Sequence, residues 1–343
     1  MSKNYYIIPI FVPHEGCPHN CVFCNQNRIT GKSEEVTAKT VYNITDEYLK
    51  TINKENTTVE ISFFGGTFTA IKEEKQRELL KVAKEYKEKG LIDKIRMSTR
   101  PDYINDYILS YLKDYLVDII ELGVQSLDDE VLKASGRGHS SLDVLNASKL
   151  IKKYGITLGH QIMPGLPKDT FEKDIESVKK SIEMKPDIVR LYPSLVIKDT
   201  PMEEMYLKGL YKPYTLMEAV EICEKLDRLY ENANINVIRM GLQPTENIAE
   251  GKDVLAGPFH PAFRELVDSL KIMKDIKKKL SKEKQGTIII NSKDISKVYA
   301  NKKMFFRKLI DEGYRIKVIT SDTIDRGQFI IKSGEINEKE DKR

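Results

Sequence analysis

The sequence predicts an α/β chain: a partial (β/α)6 TIM-type barrel followed by a small C-terminal α/β unit. Strand-like and helix-like segments alternate at least six times from residue 5 onward, the pattern of a parallel sheet wound by βα units. No dinucleotide-binding glycine fingerprint follows the first strand, which favours a barrel or open barrel over a Rossmann sheet. The polar and glycine-rich segments fall at the C-terminal ends of the strands, where barrel enzymes carry their sites.

The elements follow in order. Tyr5–Val12 reads as a strand and leads into a cysteine-bearing loop. Thr37–Lys54 has helical periodicity. Val59–Phe64 is a strand ending on Gly65-Gly66, and Glu73–Gly90 a helix closed by glycine. Lys94–Ser98 is a strand stopped by Thr99-Arg100-Pro101, and Asp102–Tyr115 a helix. Asp118–Gln125 is a strand, with two short helical pieces flanking SGRGHS at 135–140. Ile156–Met163 is a strand ended by PGLP, followed by a helix over Asp169–Met184 and a strand over Asp187–Val196. Leu216–Asn232 is a helix and Ile235–Met240 a further strand. Past the helix of Ala262–Leu280, SKEKQG at 281–286 reads as a linker. A strand (Thr287–Asn291), helices within Lys293–Glu312 and strands at Arg315–Thr320 and Gln328–Lys332 complete the chain, and its last residues read as frayed.

The expected division is residues 1–261 and 262–343. Charge supports it. Residues 262–343 carry 21 Lys+Arg against 13 Asp+Glu, a net of +8, which leaves −4 on residues 1–261 of a chain at +4 overall. A basic C-terminal part could meet a polyanion, or could be a solvated lysine-rich surface. A content of 31% charged and 40% apolar residues fits a soluble globular protein. No secretory signal and no membrane-length apolar run is seen, so a cytoplasmic protein is expected.

Three of the four cysteines, Cys17, Cys21 and Cys24, stand in one loop, HEGCPHNCVFCNQ. In a cytoplasmic chain that clustering points to metal or redox chemistry, not to disulfides. Zinc would need a fourth ligand, for which His14 or His19 is near in sequence. Soft thiolates also suit an iron–sulfur cluster, and a four-iron cluster held by three cysteines leaves one iron open.

Cys17-x3-Cys21-x2-Cys24, with Phe23 just before the last cysteine, resembles the radical S-adenosylmethionine enzymes. The resemblance implies a 4Fe-4S cluster on Cys17, Cys21 and Cys24. It further implies S-adenosylmethionine on the open iron and reductive cleavage to a 5′-deoxyadenosyl radical. A reductant such as ferredoxin or flavodoxin would supply the electron. SFFGGTF (62–68) is similar to the family's glycine pair, which implies that Gly65 and Gly66 let backbone approach the cosubstrate. Gln125 and Arg137, twelve residues apart in LGVQS and GRGHS, match the spacing of cosubstrate contacts in coproporphyrinogen oxidase-like members. An arginine suits a carboxylate through paired hydrogen bonds. Ser98 in STRPDYI stands where a glutamate is frequent, and Gln161 in GHQIMPGLP where an aspartate often meets the ribose. Phe23, Ser98 and Gln161 complete the implied cosubstrate set.

STRPDY, LGVQS, RGH, MPGLP and the run 190–215 together resemble the catalytic subunit of Elongator and its bacterial relatives, over about residues 5–245. That implies transfer RNA as substrate. Two features depart from those proteins. Their first two cysteines are further apart, and no glycine-rich pyrophosphate cradle for acetyl-CoA follows Ala262 here. Residues 287–319 resemble an RNA-binding KH module whose GxxG turn would be Ala300-Asn301-Lys302-Lys303, without glycine. A small-molecule or porphyrin substrate, or a metal-stabilised RNA-binding protein without turnover, are the rival readings. Arg190 and Tyr192 are expected on the cavity wall or in the core, and His160 on the side away from Gln161. His260 and Cys223 are expected to be structural.

Overall fold

The computed structural model describes residues 4–12, 17, 19–25, 35–242 and 252–334. The chain divides into two compact units, residues 1–261 and 262–343.

The first unit is built on seven strands. They are β1 (Asn4–Val12), β2 (Thr57–Gly65), β3 (Lys94–Thr99), β4 (Ile119–Gln125), β5 (Thr157–Ile162), β6 (Ile188–Leu191) and, beyond the two-residue β7 (Val196–Ile197), β8 (Asn236–Met240). Their spatial order is β1-β2-β3-β4-β5-β6-β8, and every neighbouring pair is parallel. The sheet curls into a part barrel whose edges, β1 and β8, do not pair with each other. The crossovers carry α1 (Ala38–Thr51), α2 (Glu73–Glu88), α3 (Asp106–Asp114), α4 (Asp129–Ala134), α5 (Ser141–Lys153), α6 (Phe171–Glu183), α7 (Pro201–Leu207) and α8 (Leu216–Asn232). Reciprocal capping boxes start α1 (Thr37 with Thr40), α5 (Ser140 with Asp143) and α8 (Thr215 with Glu218).

Two expected elements are divided in the structure. The helix expected over Asp102–Tyr115 begins only at Asp106. Pro101 holds a 3-10 turn, and the Asn105 side chain accepts from Ile108 N–H to start the helix. The strand expected over Asp187–Val196 stops at Leu191. Pro193 has no N–H for the ladder, and Ser194 N–H turns to Pro164 O at 2.9 Å. β7 then pairs with β9 (Val254–Ala256).

Successive residues of a strand face opposite sides of a sheet. The helix-covered side is apolar: Ile8, Ile10, Ile61, Phe63, Ile95, Met97, Ile120, Leu122, Leu158 and Leu191 are buried there. The cavity side is polar at mid-strand, with buried Glu60, Arg96, Glu121 and Arg190.

The second unit holds α9 (Phe263–Lys279), β10 (Gln285–Ile290), α10 (Ile295–Val298), α11 (Ala300–Asp311), β11 (Arg315–Thr320) and β12 (Phe329–Ser333). β10 is central, parallel to β11 and antiparallel to β12. The expected linker is shorter than read, because Gln285 and Gly286 already belong to β10. At the expected glycine-less turn, Asn301, Lys302 and Lys303 all take left-handed φ, at 46°, 54° and 66°. Of residues 334–343, read as frayed, 335–343 lie outside the described residues. Among the described residues no helix is long and apolar enough to cross a membrane.

Candidate active site

A cavity of about 1050 Å³ opens on the inner side of the part barrel. The ten residues that the resemblance implies for the cluster and its cosubstrate all line it: Cys17, Cys21, Cys24, Phe23, Gly65, Gly66, Ser98, Gln125, Arg137 and Gln161. They converge because a parallel sheet brings the C-terminal ends of its strands to one rim.

The cysteine loop is pinned from two sides. Val22 donates to Ser135 O at the end of α4, at 3.1 Å, and Met202 at the start of α7 donates to Val22 O, at 2.8 Å. Phe23 is buried in an apolar cluster with Val131, Leu166, Val196 and Met202, which anchors the loop between those helices. The Cys24 N–H closes a turn on Cys21 O at 3.0 Å. A side chain at Gly138 would collide with the His19 ring, so the glycine lets the two loops close together.

None of the three cysteines stands in a disulfide. Cys21 is buried, while Cys17 and Cys24 are half-buried. Among the described residues no three His, Cys, Asp or Glu side chains are drawn into a ready-made ligand set. His19, one zinc candidate, has its Nε2 3.7 Å from Asp102. Burial and then the charge of Arg100 hold its pKa below the usual range, with Asp102 opposing them. His14 lies outside the described residues.

Cys21 Sγ accepts from two buried guanidinium groups, Arg137 at 3.3 Å and Arg100 at 3.9 Å. Arg137 is steadied by a second hydrogen bond to Gly123 O at 2.5 Å, yet its Nε is buried without a partner. Gln125 Oε1 is likewise buried and unpartnered, and Gln125 sits at φ 68°. Buried polar groups without partners are uncommon, and left-handed non-glycine residues cluster at functional sites. The two orphaned atoms therefore mark a place for a polar ligand. The cavity, the three cysteines on its wall and the orphaned polar atoms fit a thiolate-held cluster with a polar cosubstrate beside it.

The other residues are less pointed. Gly65, at φ 111°, has no room for a side chain because Val12 O stands there, and Gly66 N–H also donates to Val12 O, at 3.0 Å. The glycine pair thus serves the end of β1 as well as the cavity wall. Ser98 Oγ reaches Glu121 Oε2 at 3.5 Å. Gln161 is half-buried beside Arg190 in the ladder. Arg190 and Tyr192 do line the cavity, their side chains joined at 3.0 Å. His160 faces the helices, bonded to Ser148 and Ser181, and Cys223 is fully buried. His260 does not line the cavity.

Sequence reasoning missed two groups. One is a buried ion network on the inner face. Arg96 bridges Glu60 and Glu121, both at 2.6 Å, and Arg190 Nε meets Glu121 at 2.8 Å. Its signal was charge at mid-strand in segments that otherwise read as core. The other is Arg100, which stands inside STRPDY but was passed over for Ser98. It clamps Asp102 through two bonds of 2.9 Å and also donates to Arg137 O.

Residues 11–180 match the model of the Radical SAM superfamily, and residues 186–274 match that of the radical SAM C-terminal domain. The chain belongs to the radical SAM superfamily.

Within the superfamily, a tRNA uridine(34) acetyltransferase of Methanocaldococcus infernus is 28% identical over 256 residues, 63% of this chain and 48% of that protein. Human Elongator complex protein 3 is 32% identical over 200 residues, 52% of this chain and 37% of that protein. An uncharacterized protein of Methanocaldococcus jannaschii is 30% identical over 225 residues, 62% of this chain and 69% of that protein. The match spans about half the length of the tRNA uridine(34) acetyltransferases of the two Methanocaldococcus species. The solved structure of the archaeal Methanocaldococcus infernus Elp3 with an N-terminal deletion shares the fold, with a TM-score of 0.61 at 23% identity, over 80% of this chain and 64% of that one.

Proposed function

We propose that this chain is a radical S-adenosylmethionine enzyme acting on RNA, with transfer RNA as the substrate class. The observation that carries the reading is the convergence of three cysteines outside any disulfide and two orphaned polar atoms on one cavity. A bound 4Fe-4S cluster and S-adenosylmethionine would supply one-electron cleavage to a 5′-deoxyadenosyl radical.

The chain's own residues would do the following. Cys17, Cys21 and Cys24 ligate the cluster. Arg137 presents an unused N–H to a cosubstrate carboxylate, and Gln125 Oε1 accepts from its amino group. Gly65, Gly66, Ser98 and Gln161 bound the rest of the cosubstrate. The apolar wall of Phe23 and its neighbours keeps water from one side. The relatives' names support tRNA, as does the net +8 of residues 262–343, where Lys302 and Lys303 are exposed at the 300–303 turn. A cytoplasmic location and a ferredoxin- or flavodoxin-class reductant follow from the same reading. The acetyl transfer in the relatives' names is not carried over, since the match covers less than half of those proteins.

The test is retention of bulk transfer RNA by the reconstituted protein at several salt concentrations. Binding that weakens steeply with salt and drops in a Lys302→Glu/Lys303→Glu variant supports the RNA substrate. Equal binding of unrelated polyanions, or none, points to a small-molecule substrate.

A further inference from the structure

The pair of arginines at Cys21 carries an inference beyond cluster ligation, and it rests on the cluster reading above. Two guanidinium groups meet one buried sulfur, with Asp102 as the carboxylate beside them. Arg137 has a further task in its orphaned Nε. Arg100 is held differently: its Nε and Nη2 donate to both oxygens of Asp102 and to Arg137 O, while Nη1 faces the sulfur. A planar fork held at that many points is fixed in place, and it is 3% exposed, where charge is poorly screened. Asp102 offsets part of that charge.

Three thiolates more than offset the positive charge of a four-iron core, and an added electron makes the site more negative still. A fixed cation and an N–H donor at a ligand sulfur favour the reduced state. We infer that Arg100 is a positioning residue that raises the reduction potential of the cluster held by Cys17, Cys21 and Cys24, and that Asp102 trims this effect. Radical SAM chemistry requires a donor of low potential, so the pair Arg100–Asp102 sets how strong a reductant this chain needs.

The experiment compares wild type with Arg100→Gln, Arg100→Lys and Asp102→Asn after anaerobic reconstitution. Iron and sulfide per chain are measured first. The cluster is then titrated potentiometrically against dithionite without S-adenosylmethionine, and reduction is followed by electron paramagnetic resonance. Arg100→Gln is expected to lower the ratio of reduced to oxidised cluster at least tenfold at a fixed potential, about 59 mV for a one-electron couple. Arg100→Lys keeps the charge and should fall between the two. Asp102→Asn should shift the potential upward. A full cluster whose potential is unmoved in both Arg100→Gln and Asp102→Asn, or moved the same way in both, overturns the inference and leaves the functional reading standing. Should Arg100→Gln not retain iron, Asp102→Asn decides alone: a rise supports the inference, and no rise overturns it. A wild-type protein that takes up no iron–sulfur cluster overturns the functional reading, and the inference with it.

Discussion

Ile120 and Glu121 are neighbours in β4 and face opposite sides of one sheet. Ile120 is fully buried under the helices among other aliphatic side chains. Glu121 is also buried but faces inward, ion-paired to Arg96 and Arg190. The outer face is made of groups whose burial is favourable in itself. The inner face is made of groups whose burial is tolerable only in company. Nearer the rim even the company runs out, at Gln125 Oε1 and Arg137 Nε. The gradient from outer face to rim runs from residues that hold the fold to residues left with unpartnered polar atoms.

The largest effect on stability is expected from Glu121→Gln. It removes the charge that two buried guanidinium groups share, and should cost about 3–5 kcal/mol in urea unfolding. An unchanged midpoint would show that the inner charges are not held in low dielectric, and the contrast between the faces would break. Ile120→Ala should cost about 2–5 kcal/mol through the cavity it leaves. In the folded fraction of that variant, affinity for S-adenosylmethionine should stay at the wild-type level, as titration calorimetry can check.

A smaller effect is one of pH. Burial, and then the charge of Lys152, push the His160 pKa down to about 3 from the ordinary 6.5. The unfolded chain thus binds a proton between those values that the native chain refuses. Stability should fall as pH drops below 6.5, by about 1.4 kcal/mol per pH unit from this group. His160→Gln should flatten that slope in urea midpoints measured between pH 5 and pH 7, and an identical slope in both proteins would place the imidazole in contact with water. The smallest effect on stability belongs to Gln125→Leu, which removes an unpartnered buried acceptor and should stay within about 1 kcal/mol of wild type. Its cost should appear as roughly tenfold weaker cosubstrate binding. A large loss of stability with unchanged binding would make Gln125 a structural residue.

The sequence revealed the parallel part barrel because each strand and its helix carry their own periodicity, and the topology of such units leaves few choices. It also revealed the rim residues, since strand ends of a parallel sheet meet wherever the sheet curls. Relations that skip along the chain stayed hidden. Glu121 meets partners 25 and 69 residues away, and nothing local marks them as partners. Arg100 lies inside STRPDY, but its contact with Cys21 spans 79 residues. The break at Tyr192-Pro193 and the late start of α3 were legible in principle, because Pro193 and Pro101 both punctuate the backbone. The three left-handed residues 301–303 were not, since two of them are lysines, which rarely adopt that conformation.

The most direct test of the radical reading is product analysis after anaerobic reconstitution with iron and sulfide. Protein is reduced with dithionite, given S-adenosylmethionine, and assayed by chromatography for 5′-deoxyadenosine, with Cys21→Ala alongside. Abundant 5′-deoxyadenosine from wild type, and none from Cys21→Ala, is the expected result. Zinc in place of iron after anaerobic purification, or equal product from both proteins, would contradict it.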